Sequence, residues 1–157
     1  MVLPAAGSPL CWAAHTRNTL RAAGLRPTRQ RLILASLLFR GSDLHVTAEE
    51  LHAEAEHSGV PISLATVYNT LNQFTEAGLL RVLAVDPSRT YFDTNTADHQ
   101  HFYIEGEGRV LDIGEAVQVV HLPTLPAGTE IANVDVVIRL RRRSGAASRQ
   151  WPETRTA

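Results

Sequence analysis

Residues 63–78 read SLATVYNTLNQFTEAG. Leu64, Val67, Leu71 and Phe74 fall three, four and three positions apart, so an α-helix places them in one buried stripe. Ser63 is a good N-cap and Gly78 a good stop. The opposite side centres on Asn69, flanked by Ala65, Thr66 and Gln73, with Tyr68 at the border. Surface helices usually carry Glu and Lys, whereas this face carries small and amide side chains until Glu76. A helix lying in a DNA groove avoids acids near phosphate and uses Asn or Gln for adenine and apolar groups for the thymine methyl. The plainer alternative is a solvated helix face.

Working outward, the upstream chain predicts three more helices. One covers Trp12 to Ala23 and is ended by Gly24. Another is opened by Pro27 and runs to about Phe39, with Leu32, Ile33, Leu37 and Leu38 as its apolar face. In the third, Thr47 and Glu50 form a capping box, and Gly59 marks the end. Downstream the period shortens. Leu79–Val85 and Thr90–Thr94 read as strands joined by the turn-forming set Asp86 to Arg89. Helices ahead of such a hairpin make a winged helix-turn-helix, placed at residues 12–94. Residues 1–11 are expected to be a flexible N-terminus.

Charge supports a polyanion partner for the basic N-terminal third. Residues 1–40 hold six Arg and no acid, while residues 41–138 hold three Arg and fifteen acids. All fifteen basic residues are Arg, whose fork suits phosphate and guanine edges, although a coding bias gives the same composition. Arg17, Arg21, Arg26, Arg29 and Arg31 are then phosphate contacts that position the reading helix.

The remaining chain is β-rich. Gln100–Glu105 and Arg109–Ile113 flank two glycines and read as a hairpin. A short helix is expected around Glu115–Leu122, and Val134–Leu140 alternates as a third strand. Three strands make a thin core, which a second copy of the chain would complete. The fold class expected is therefore α+β, a winged helix-turn-helix DNA-binding domain followed by a small α/β dimerisation domain over residues 95–143. Residues 144–157 are expected to be a disordered tail.

The segment 93–112 reads DTNTADHQHFYIEGEGRVLD. His99 and His101 are two apart in a predicted strand and project from one face. Asp93 ends the wing, Asp112 lies on the opposing strand, and His45 precedes the third helix. Two imidazoles with carboxylates suit Zn²⁺, Mn²⁺ or Fe²⁺, although surface histidines adopt this spacing by chance. Two His and a carboxylate also form the facial triad of iron oxygenases. Five protein ligands leave that chemistry little open coordination, and no nucleophile–base arrangement accompanies them, so no enzyme is expected. One cysteine, Cys11, excludes a disulfide framework and a Cys-based zinc cage. The start lacks a signal-peptide pattern and no apolar run is long enough to span a bilayer. A cytoplasmic protein with no membrane partner is expected.

The segments GLRPTRQRLILASLLF, HVTAEELH, SLATVYNTLNQFTEAGLL, TYFDTN and DHQH together resemble the ferric uptake regulator (Fur) superfamily, most nearly its iron response regulator (Irr) branch. The resemblance implies a homodimeric transcription regulator that binds double-stranded operator DNA. It also implies a divalent metal (Fe, Mn or Zn) between the domains, on His45, Asp93, His99, His101 and Asp112. Tyr68 and Asn69 fall where the superfamily contacts bases, and Arg21 where a basic residue approaches the minor groove. In the Irr branch such a regulator controls iron and haem genes, acts when iron is limiting and responds to haem. His99, His101 and Cys11 are the haem candidates here, with a haem-delivering protein as a further partner. Three features depart from the pattern. Tyr103–Gly108 lacks the CxxC of many members, Cys11 is followed by Trp12 rather than Pro, and DHQH holds two histidines rather than three. The alternative is a repressor that responds to Mn or Fe alone.

Overall fold

The computed structural model describes residues 9–143, and side chains from residue 14 onward. Residues 1–8 of the expected flexible start, the side chain of Cys11 and the expected tail at 144–157 lie outside the described residues. The chain divides after Thr96 into two compact units. The observed class is α+β, with helices first and small sheets after them.

The first unit runs α1 (Pro9–Ala22), α2 (Arg29–Leu38), β1 (His45–Val46), α3 (Ala48–His57), α4 (Leu64–Glu76), β2 (Arg81–Asp86) and β3 (Arg89–Asp93). α1 begins three residues earlier than expected and takes in residues 9–11. Proline fits the first helical turn, where its missing N–H costs nothing. α2 begins two residues later than Pro27, because Thr28 is the N-cap and its hydroxyl accepts from the Arg31 amide. Its buried face is Leu34, Ala35, Leu37 and Leu38, while Leu32 and Ile33 are only half-buried.

The capping box of α3 forms as expected. Thr47 Oγ1 accepts from the Glu50 amide at 3.2 Å, and Glu50 Oε2 accepts from the Thr47 amide at 2.8 Å. Ser63 caps α4 by accepting from the Thr66 amide. Gly78 follows α4 with φ +72°, a left-handed conformation that favours glycine. The buried side of α4 differs from the expected stripe at one end. Leu64 is 36% exposed, and Thr70 is buried instead, its hydroxyl donating to the Thr66 carbonyl at 2.8 Å. Val67, Leu71 and Phe74 join Leu20, Leu34, Leu38, Leu51 and Phe92 in one core. The sheet order is β1-β3-β2, all antiparallel, so the two-residue β1 flanks the wing hairpin.

The second unit has β4 (His101–Ile104), β5 (Arg109–Asp112) and β6 (Val137–Leu140) in the order β5-β4-β6. β4 and β5 form the expected antiparallel hairpin, and β6 pairs parallel with β4. The helix expected at Glu115–Leu122 does not form, and residues 113–136 carry neither helix nor strand. Gly114 and Pro123 bracket that stretch, and the β-branched Val117, Val119 and Val120 disfavour a helix within it. Val119, Val120, Leu122, Leu125, Ile131 and Val134 are exposed there. No described helix is long and apolar enough to cross a membrane.

Candidate metal centre and nucleic-acid interface

Strand register places the first pair of donors. His45 on β1 lies directly opposite Asp93 on β3, and Asp93 in turn lies opposite Arg81 on β2. Asp93 therefore sits on the central strand and is fully buried. A buried carboxylate demands partners. Its Oδ1 accepts from the Asn95 amide at 2.8 Å and lies 3.7 Å from His45 Nε2. A polar clasp holds the neighbouring chain. The Leu44 amide donates to Thr94 Oγ1 at 2.9 Å, the Thr94 amide donates to the Leu44 carbonyl, and Asn95 Nδ2 donates to Asp43. Thr94 and Asn95 carried no metal-ligand signature in the sequence. The only hint was a polar run directly after a strand.

Register also places the second set. His101 on β4 pairs with Asp112 on β5. His99 lies in the loop before β4, not within the strand as expected. Its ring still reaches the same carboxylate. His99 Nε2 is 3.0 Å and His101 Nε2 3.6 Å from Asp112 Oδ1, and the two ring centroids are 4.4 Å apart. Each of the three residues offers one ligand atom, and these atoms lie within 4.8 Å of one another. The second nitrogen of His99 explains its orientation. Nδ1 stands 2.8 Å from the Ala97 carbonyl oxygen, which can only accept, so the Nδ1 proton is placed there. In neutral His99 the Nε2 lone pair then points at a carboxylate oxygen. Two acceptors at 3.0 Å leave a place between them for a proton or a cation.

The donor set is nitrogen and oxygen without sulfur. It suits Fe²⁺, Mn²⁺ or Zn²⁺, and is too rich in imidazole for Ca²⁺ or Mg²⁺. A porphyrin fits this geometry poorly. His101 is 3% exposed, and both imidazoles are turned onto Asp112.

On α4, Asn69 is exposed and Thr66 and Tyr68 are half-buried. The Thr66 hydroxyl lies 2.9 Å from Ser63 Oγ. Tyr68 donates to Glu49 Oε1 on α3 at 2.7 Å. Gln73 Oε1 accepts from both Nε and Nη2 of Arg31, at 3.2 and 2.9 Å, while Arg31 Nη1 donates to the Arg26 carbonyl at 2.9 Å. Arg31, expected as a phosphate contact, is thus a strut between α2 and α4. Arg17, Arg21, Arg26 and Arg29 are exposed. Sequence reasoning missed Glu49 and the Arg31–Gln73 strut, because both depend on how neighbouring helices pack.

Comparison with known proteins supplies the family. A model of the ferric uptake regulator family matches residues 22–138. The peroxide-responsive repressor PerR of Staphylococcus aureus is 36% identical over 94 residues, which are 60% of this chain and 63% of that protein. The chain thus spans less than two thirds of that relative's length. The ferric uptake regulator of Vibrio cholerae, 25% identical, superposes with a TM-score of 0.64 over 80% of this chain and 98% of that one. The manganese-containing ferric uptake regulator of Pseudomonas aeruginosa shares the fold at 24% identity, with a TM-score of 0.61 over 82% and 98% of the two chains. The winged-helix order, the H-x-H hairpin and the extent of the family match agree, and the chain belongs to the ferric uptake regulator family.

Proposed function

We propose that this chain is a homodimeric, sequence-specific DNA-binding transcription regulator, not an enzyme. A single divalent ion, shared by His45 and Asp93 with His99, His101 and Asp112, would set its operator affinity. The observation that carries the reading is the meeting of His99 Nε2 and Asp112 Oδ1 at 3.0 Å, with the other His99 nitrogen committed to Ala97. That geometry leaves a place for a cation between the two atoms. Each donor set is incomplete alone, with two donors in the first unit and three in the second. Together they supply the five ligands that a Mn²⁺ or Fe²⁺ ion accepts readily.

When bound, such an ion would supply fixed positive charge beside the carboxylates of Asp93 and Asp112. The chain's own residues do the rest. Asn69, Tyr68 and Thr66 present polar groups to base edges, and Arg21, Arg26 and Arg29 meet phosphates. Gln73 contributes through its hold on Arg31. The exposed apolar side chains of residues 119–134 fit burial against a second copy.

We assign the regulated genes to iron homeostasis, on the strength of the DHQH and SLATVYNTLNQ motifs. Haem is the second reading, favoured by DHQH and by Cys11, and the ion fits the buried His101 better. Operator binding by metal-free protein, measured alone and with Mn²⁺, Fe²⁺, Zn²⁺ or haem, tests both. Affinity raised by an ion and abolished by a chelator supports the proposal. A Soret shift with altered operator binding in ion-free protein would replace it with haem control. The staphylococcal relative's name makes hydrogen peroxide the further stimulus to include. Loss of binding only in the Fe²⁺-loaded protein would make peroxide the signal.

A further inference from the structure

The phenol of Tyr68 donates its single proton to Glu49 Oε1 at 2.7 Å. Glu49 is the second residue of α3 and is exposed, as is Asn69 beside Tyr68 on α4. The Tyr68 bond, first among several causes, holds the Glu49 carboxyl below the usual carboxylate range, and Arg89 of the wing assists. Reciprocally, Glu49 holds the phenol's proton and raises the Tyr68 pKa. A carboxylate only accepts, and a phenol has one proton to give. With that proton committed, Tyr68 Oη can meet any further partner only as an acceptor.

We propose that Glu49 is a specificity-determining residue, which fixes Tyr68 as an acceptor and so directs it to a base offering an N–H donor in the major groove. Adenine N6 and cytosine N4 are those donors, whereas guanine N7 and O6 and thymine O4 are acceptors that meet Oη with lone pair against lone pair. The inference rests on α4 reading DNA. Glu49 acts through Tyr68 and is a positioning residue. The charge of an acid beside the phosphates weakens binding to every sequence alike, so any change in discrimination comes from its hold on Tyr68. Its removal leaves the Thr47–Glu50 capping box of α3 in place.

The test is base preference, measured by selection from randomised duplexes with the full-length, Mn²⁺-loaded protein, its Glu49→Ala, Tyr68→Phe and Asn69→Ala variants, and the Glu49→Ala/Tyr68→Phe double variant. In the unsubstituted protein, placing G or T at one half-site position preferring A or C costs about 5- to 150-fold, the usual range for one mismatched pair. Glu49→Ala and Tyr68→Phe each bring that ratio close to one, and the double variant goes no further. Ultraviolet titration of Glu49→Ala shows one tyrosine ionising at lower pH than before, which reports loss of the bond, while the base ratio separates a specificity role from a merely structural one. Retention of the full ratio in Glu49→Ala overturns the proposal. Operator affinity unchanged in Asn69→Ala instead overturns the assignment of α4 to DNA, which keeps the two failures apart.

Discussion

Replacing Asp112 by Asn keeps the shape of the side chain and removes the charge that faces both imidazoles. Asp112 Oδ1 lies 3.0 Å from His99 Nε2 and 3.6 Å from His101 Nε2, so one substitution deprives both rings of their carboxylate. Loss of a supporting group alone weakens metal binding by about 10- to 100-fold, and Asp112 is placed here as a ligand, so about 100-fold is a lower bound. An ion present at 100 times its dissociation constant stabilises the fold by about 2.7 kcal/mol. After a 100-fold loss the same concentration contributes only about 0.4 kcal/mol. The difference, about 2.3 kcal/mol, corresponds to roughly 5–10 °C in melting temperature for a chain of this size. The assay is thermal unfolding of metal-free protein with and without Mn²⁺ or Zn²⁺, for the parent chain and for Asp112→Asn. Asp98→Asn serves as the control, an exposed acid in the same loop outside the donor set. A metal-induced shift that survives intact in Asp112→Asn, or that vanishes in Asp98→Asn, refutes the assignment.

Three further outcomes follow from the same structure. Phe74 is fully buried in the core of the first unit, so Phe74→Ala lowers stability in urea by about 3–5 kcal/mol, and a loss below about 1 kcal/mol contradicts the packing described. Thr47→Ala removes the hydroxyl that caps α3 and costs about 1 kcal/mol in the same experiment, with Glu50→Ala giving a non-additive second loss because the two bonds are reciprocal. The Tyr68–Glu49 bond has a pH window. Glu49's folded pKa is lowered, so the contribution is present above the ordinary carboxylate value and lost as pH falls through the lowered one. Tyr68's is raised, so the contribution is present below the ordinary phenol value and lost as pH rises through the raised one. Difference absorbance of the tyrosines across that range, compared with Glu49→Ala, checks both edges.

Much of the fold was legible because it is written in local periodicity and capping. Thr47 with Glu50, Ser63, Gly59 and Gly78 fix helix ends through bonds spanning three or four residues. Val67, Leu71 and Phe74 reveal their face by spacing alone. What escaped was set by tertiary contact. Leu64 reads as core, yet it lies in the first turn of α4, where little packs over it, and Thr70 takes the buried place by satisfying its hydroxyl on the Thr66 carbonyl. β1 is two residues long and exists only because β3 offers it an edge, so no pattern announces it. Of the metal-ligand candidates, His101 and Asp112 meet by hairpin register, which the glycines between their strands foretell. His99 was expected to share a strand face with His101. It arrives from a loop, through its bond to Ala97, a geometry that period-two reasoning cannot supply. The Arg31–Gln73 strut has the same origin, since its partners stand 42 residues apart.

The central claim is that the occupancy of the histidine–carboxylate donors governs how tightly α4 holds its operator. The most direct measurement is a titration of operator DNA with the parent chain and with His101→Ala, each freed of metal and then supplied with increasing Mn²⁺. The account predicts that the parent's affinity changes by at least tenfold across the titration and follows the fractional occupancy of one ion per chain, while His101→Ala does not respond. Operator affinity that is the same at every Mn²⁺ concentration, or a His101→Ala variant that responds like the parent, would contradict it.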